Sequence, residues 1–99
     1  MPVRYEVMAE VEPDLADHYQ RYMQEKHIPE IWTTGCFAMI VLSHTSPTTF
    51  RTAYIADTQA DLDRYLTDHT AHYRADFSEH FPQGVALSRI VWSDVQKWE

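Results

Sequence analysis

A histidine and a glutamate three residues apart, His27 and Glu30, stand beside Pro29, Trp32 and the one cysteine in the stretch KHIPEIWTTGCF. If the backbone stays near-helical past the proline, the carboxylate can approach the imidazole, orient it and raise its basicity. That pairing suits abstraction of a proton next to a carbonyl. The same residues also have a structural use: the imidazole can donate to a carbonyl freed by Pro29, and Glu30 favours the next helical N-terminus. His69 falls on one stripe with Leu62, Leu66, Tyr73 and Phe77, where it can line a pocket or sit hydrogen-bonded in the core. His69 and His72 have a spacing that two metal ligands can use, but no third or fourth ligand accompanies them, and no metal is expected.

Around these groups the chain is rich in rings, with six Tyr, four Phe and three Trp. Trp32 and Trp92, with Tyr5, Tyr19, Tyr22, Tyr54 and Tyr73, can line a flat aromatic cavity or simply make the core. Cys36 follows Gly35 with no nucleophile signature around it and reads as a small buried hydrophobe. Arg89 shares the register of Val85, Leu87 and Val91 in what reads as a central strand, so it needs a partner: Glu6 or Glu10 on the first strand, or an anionic substrate. Two glycines, neither in a glycine-rich segment, leave no phosphate-binding loop.

The elements that must position these groups follow from periodicity. Val3, Tyr5, Val7, Ala9 and Val11 alternate with polar residues and Met8, the period of a half-buried strand. Pro13 and Asp14 then open a helix over 13–27, with Leu15, Tyr19, Tyr22, Met23 and Ile28 along its inner face. Pro29 takes His27 and Ile28 out of a continuous helix and begins a second short turn, which Gly35 stops. CFAMIVLS, the turn HTSPTT and FRTAYIAD make a hairpin. A helix capped by Thr58 ends near PQG, and a last strand covers 85–95.

Strand, helix, strand, strand, helix, strand is the split βαβ order of ferredoxin-like α+β folds: a four-stranded antiparallel sheet with both helices on one face, formed by residues 1–99 as one domain. The second strand reads as apolar on both sides: Cys36, Ala38, Ile40 and Leu42 on one, Phe37, Met39 and Val41 on the other. Helices cover only one face, so the other needs a twin, and a homodimer packed sheet against sheet is expected.

Composition narrows the function. Fifteen acids against eight Lys and Arg give a formal charge of −7, which repels phosphate backbones and anionic membranes, so no nucleic-acid or membrane partner is expected. No run approaches the ~20 apolar residues of a membrane span. A lone cysteine and a polar N-terminus fit a soluble cytoplasmic protein.

HIPEIWTTGCF, LDRYLTDHTAHYR and the closing ALSRIVW resemble a family of short bacterial proteins classified only as a domain of unknown function, over nearly the whole chain. The resemblance implies a place in the dimeric α+β barrel superfamily. That group includes cofactor-independent oxygenases of polyketide aromatics, muconolactone-type isomerases and haem-degrading enzymes, usually with a pocket between sheet and helices. The expectation is a cofactor-independent enzyme of isomerase, cyclase or oxygenase type acting on an apolar or aromatic small molecule. His27 would serve as acid or base and Glu30 would orient it, with His69, Tyr54, Tyr73, Trp32 and Tyr22 contacting substrate. The alternative is a non-catalytic dimer that binds a small ligand or assists a pathway.

Overall fold

The computed structural model describes residues 1–99. Its elements are β1 (Val3–Val11), a 3-10 turn (Pro13–Leu15), α1 (Ala16–Tyr22), a π turn (Met23–His27), α2 (Ile28–Trp32), β2 (Met39–Ser46), β3 (Thr49–Ala56), α3 (Gln59–Asp68), α4 (Thr70–His80) and β4 (Val85–Ser93). The strands pair antiparallel in the order β2-β3-β1-β4, which is the ferredoxin-like α+β arrangement that the order of elements predicts. Alternation along β1 turns Val3, Tyr5, Ala9 and Val11 into the core. Two buried clusters lie under the helices. One joins Tyr5, Tyr54, Ile31, Phe37, Leu62 and Tyr65; the other joins Ala9, Tyr19, Tyr22, Met23, Phe50 and Phe81.

Between α1 and α2 the chain departs from the expected break. His27 and Ile28 keep right-handed helical dihedrals, and the backbone passes Pro29 without leaving the helix. Pro29 has no N–H to offer the carbonyl of residue 25 and its ring crowds that oxygen. A π turn absorbs the conflict: the Ile28 N–H reaches back five residues to the Met23 carbonyl. Gly35 then ends the segment with φ of 73°.

Three further expectations are corrected. The second strand begins at Met39, not Cys36, so Phe37 precedes the pleat and is buried with Tyr54 and Tyr65 beneath the helices rather than on the far face. The long second helix is broken at His69, whose φ of −126° separates α3 from α4. Thr67, Asp68, His69 and Thr70 are all mediocre helix formers, two β-branched and one a short acid that competes for the backbone, and the helix yields there. Arg89 is on an edge strand and exposed; it stands opposite Val7 on the helix-facing side, away from Glu6 and Glu10 on the other face.

Thr58 caps α3 as its type suggests, its hydroxyl accepting the Asp61 N–H at 3.2 Å. No helix is long and apolar enough to cross a membrane.

Candidate functional site

His27 is four residues after Met23 and four before Ile31, both buried, so helical geometry turns it inward against the α3–α4 side. Its ring packs near Tyr22, Tyr73 and Phe77, with centroids 5.5, 6.2 and 5.7 Å away. Burial lowers its pKa from the ordinary histidine value to about 4, against the opposing pull of Asp76 and Glu30, so the ring is neutral near pH 7.

Behind the imidazole lies a polar chain. The Tyr22 hydroxyl donates to Asp76 Oδ2 at 2.7 Å and lies 3.3 Å from His27 Nδ1. With its proton directed to the carboxylate, the Tyr22 oxygen serves as acceptor toward the ring; this network assigns the His27 proton to Nδ1 and leaves the lone pair on Nε2. Lys26 Nζ bridges Glu30 Oε2 and Asp76 Oδ2, each at 3.0 Å. The Tyr22 hydrogen bond, followed by Lys26, holds the Asp76 carboxyl below its usual range. Burial first, then Asp76, pushes the Tyr22 phenol well above its own. The lysine is raised by Glu30 and Asp76 in turn.

In front of the imidazole a cavity opens between helices and sheet. Five tyrosines line it, Tyr5, Tyr19, Tyr54, Tyr65 and Tyr73, together with His27, Arg74 and Arg89. Tyr54, Tyr65 and Tyr73 form a ladder of near-parallel rings at centroid spacings of 6.5 and 6.4 Å. Burial raises the phenols of Tyr19, to about 12, and of Tyr54 and Tyr65, so these hydroxyls remain protonated donors. The free space is about 40 Å³, room for water but not for an organic ring without movement. No side chain of α4 is fully buried, though Tyr73 and Phe77 pack against the core and the Tyr73 hydroxyl donates to the Glu30 carbonyl at 3.2 Å.

The structure thus gathers some of the expected residues and separates others. His27, Tyr54 and Tyr73 meet at the cavity, and Tyr22 stands behind the ring rather than in the cavity wall. Glu30 does not reach the imidazole; its carboxylate is taken by Lys26, and the place beside Nδ1 belongs to Tyr22. His69 is outside the lining, its ring against Tyr65 at 6.2 Å, because the helix breaks at that residue. Trp32 follows the buried Ile31 and so is turned about 100° away from the core; it faces an outer groove with Pro29 and Met39. Asp76, Tyr65 and Arg74 join the site without any local sequence signal. Asp76 follows Tyr73 by three, which places both on one helical face, but its partners Tyr22 and Lys26 are 54 and 50 residues away and no local pattern announces them. Nowhere do three or more His, Cys, Asp or Glu side chains converge as a metal would require.

A family model described as a domain of unknown function (DUF4286) matches residues 3–95. The chain belongs to that family. No curated protein matches it. Among solved structures, this DUF4286 chain is similar to Rv0793 from Mycobacterium tuberculosis, at 18% identity over 100% of both chains with a TM-score of 0.68. A protein from Deinococcus radiodurans, described as a candidate antibiotic biosynthesis monooxygenase, superposes with a TM-score of 0.71 at 12% identity, covering 100% of this chain and 97% of the other. A Nitrosomonas europaea protein described in the same terms gives 0.61 at 18% identity, over 97% and 100%. At such identities the likeness establishes the shared fold of this DUF4286 chain and no more.

Proposed function

We propose that this protein is a small cofactor-independent enzyme, of isomerase, cyclase or oxygenase type, that moves a proton on a flat apolar or aromatic molecule. The observation that carries this reading is that His27 is the one imidazole lining the cavity between sheet and helices, and that the cavity wall is built of aromatic faces. The names borne by structurally similar proteins are compatible with it.

In this reading the substrate ring lies along Tyr54, Tyr65 and Tyr73, and His27 Nε2 takes the proton from an acidic C–H or O–H. Tyr22 and Asp76 fix the tautomer from behind, with Lys26 balancing the carboxylate. A neutral imidazole in an apolar site is a weak base until negative charge develops opposite it; the forming oxyanion then stabilises the imidazolium, and the protonated phenols donate to that oxyanion. Glu30 acts through Lys26, not on the ring.

The reading includes a homodimer. On the face of the sheet away from the helices Met39 and Val41 of β2 and Ile90 and Trp92 of β4 are 54%, 41%, 45% and 51% exposed, two apolar strips with Arg4 and Glu6 of β1 between them that a second copy would cover.

The chemistry is tested by deuterium exchange into 2-tetralone, a flat ketone with acidic ring C–H bonds, followed by NMR in D2O. Wild-type protein is expected to accelerate exchange over buffer, and His27→Gln to return it to within a few fold of buffer, a loss of about 10²-fold or more if the ring is the base. Exchange at the buffer rate with wild type, or equal rates in the two proteins, refutes proton transfer by His27.

A further inference from the structure

Charge is distributed oddly in this chain. Acids outnumber Lys and Arg 15 to 8, yet the cavity lining contains two arginines and no aspartate or glutamate. Elsewhere Arg4 pairs with Asp94, Arg64 with Asp61, and Lys26 with Glu30 and Asp76. Arg74 and Arg89 have no such partner, and of the other cations only the exposed Arg21 and Arg51 share that state. Arg74 makes one hydrogen bond, from Nη2 to the neutral hydroxyl of Tyr5 at 3.3 Å, and Arg89 makes none.

The fold brings the two together from opposite walls. Arg74 comes from α4. Arg89 comes from the edge strand, directly across from Val7 and diagonal to Tyr5, the phenol that Arg74 touches. Two guanidinium groups lining one small cavity repel, and an anion between them relieves that repulsion while offering each a planar, two-oxygen acceptor.

We infer that the ligand of this cavity is a flat ring bearing a carboxylate, the carboxylate held between Arg74 and Arg89 at the mouth and the ring lying along Tyr65 and Tyr73. This names the substrate class of the site proposed above and rests on that site, but not on its chemistry. A carboxylate fits better than a phosphate ester: the mouth has no glycine-rich loop to wrap a tetrahedral dianion, and the net charge of −7 penalises a doubly charged ligand more than a singly charged one. With the carboxylate at the rim, the ring projects inward toward His27. The cavity of about 40 Å³ must widen to admit it, and α4, which carries Arg74 and has no fully buried side chain, is the element placed to give way.

The test is a titration of the full-length protein, by calorimetry and amide NMR, with 2-naphthoate, its neutral analogue 2-naphthamide, and 2-naphthyl phosphate. Naphthoate is expected to bind about tenfold or more tightly than naphthamide, the low end for charge-assisted hydrogen bonds at a partly exposed site. Arg89→Gln and Arg74→Gln should each remove most of that preference and leave naphthamide affinity unchanged; circular dichroism of each variant establishes that it folds. His27→Gln should keep the preference, so a failure of the catalytic reading leaves this result intact and the reverse also holds. Equal affinity for acid and amide, unaltered naphthoate binding in both arginine variants, or no binding of either compound at millimolar concentration overturns the inference. Tighter binding of the phosphate ester than of naphthoate overturns the carboxylate assignment.

Discussion

At the scale of single residues, His27 couples the site to stability. Its imidazole is partly buried and neutral, and that burial lowers its pKa to about 4. In the unfolded chain the same ring takes up a proton near its ordinary value of about 6.5. Between these values the unfolded state binds more protons than the folded one, so stability rises with pH across that window. The contribution is complete above about pH 6.5 and is lost as pH falls toward 4, by about 2–3 kcal/mol at pH 4.5. Urea denaturation at pH 7.5 and 4.5 should therefore show wild type losing about that much more stability than His27→Gln. Equal losses in the two proteins would mean that the ring is not held neutral. The histidine's inward direction was readable from its spacing after Met23. Its partner was not, because i to i+3 spacing on paper puts Glu30 nearest, whereas the folded chain offers Lys26 a closer salt bridge and brings Tyr22 to the ring.

At the scale of elements, local chemistry set most boundaries and long-range packing moved the rest. Thr58, Gly35 and the alternation of β1 act within a few residues of themselves, and each does in the structure what its type suggests. The passage through Pro29 was a contest between a missing donor and the burial of Tyr22, Met23 and Ile31 on one continuous face. Keeping that face buried won, and the π turn is the compromise. Gly35 and Gly84 offer a graded test, since both have positive φ, 73° and 86°. An alanine at 35 meets nothing and should cost about 1–2 kcal/mol from left-handed strain alone. At 84 the new Cβ would also land on Leu15 Cδ1, with Glu12 Oε2 at 3.2 Å. Gly84→Ala should therefore lower the denaturation midpoint at least as far as Gly35→Ala; a smaller effect would show that Leu15 gives way freely.

At the scale of the whole molecule, the open sheet face is the feature with the largest consequence. Its exposed apolar side chains stand on the two outer strands, β2 and β4, with Arg4 and Glu6 of β1 between them and Arg51 of β3 one row further along. Light scattering at micromolar concentration should return a particle of two chains, and Val41→Glu with Ile90→Glu should return one chain that stays folded, because both side chains are already on the surface. A wild-type monomer would refute the dimer.

Residue order and type were enough to determine the ferredoxin-like topology, the apolar residues of β2 on the sheet's second face and the inward turn of His27, because each depends on a period of 2 or 3.6 residues that is written locally. Only the tertiary structure decided what His27 touches, that His69 and Trp32 stand away from the cavity, and that Arg89 is on an edge beside Arg74's phenol partner. Those relations join residues separated by dozens of positions, and they depend on which of several competing partners reaches a polar atom first once the helices are packed on the sheet.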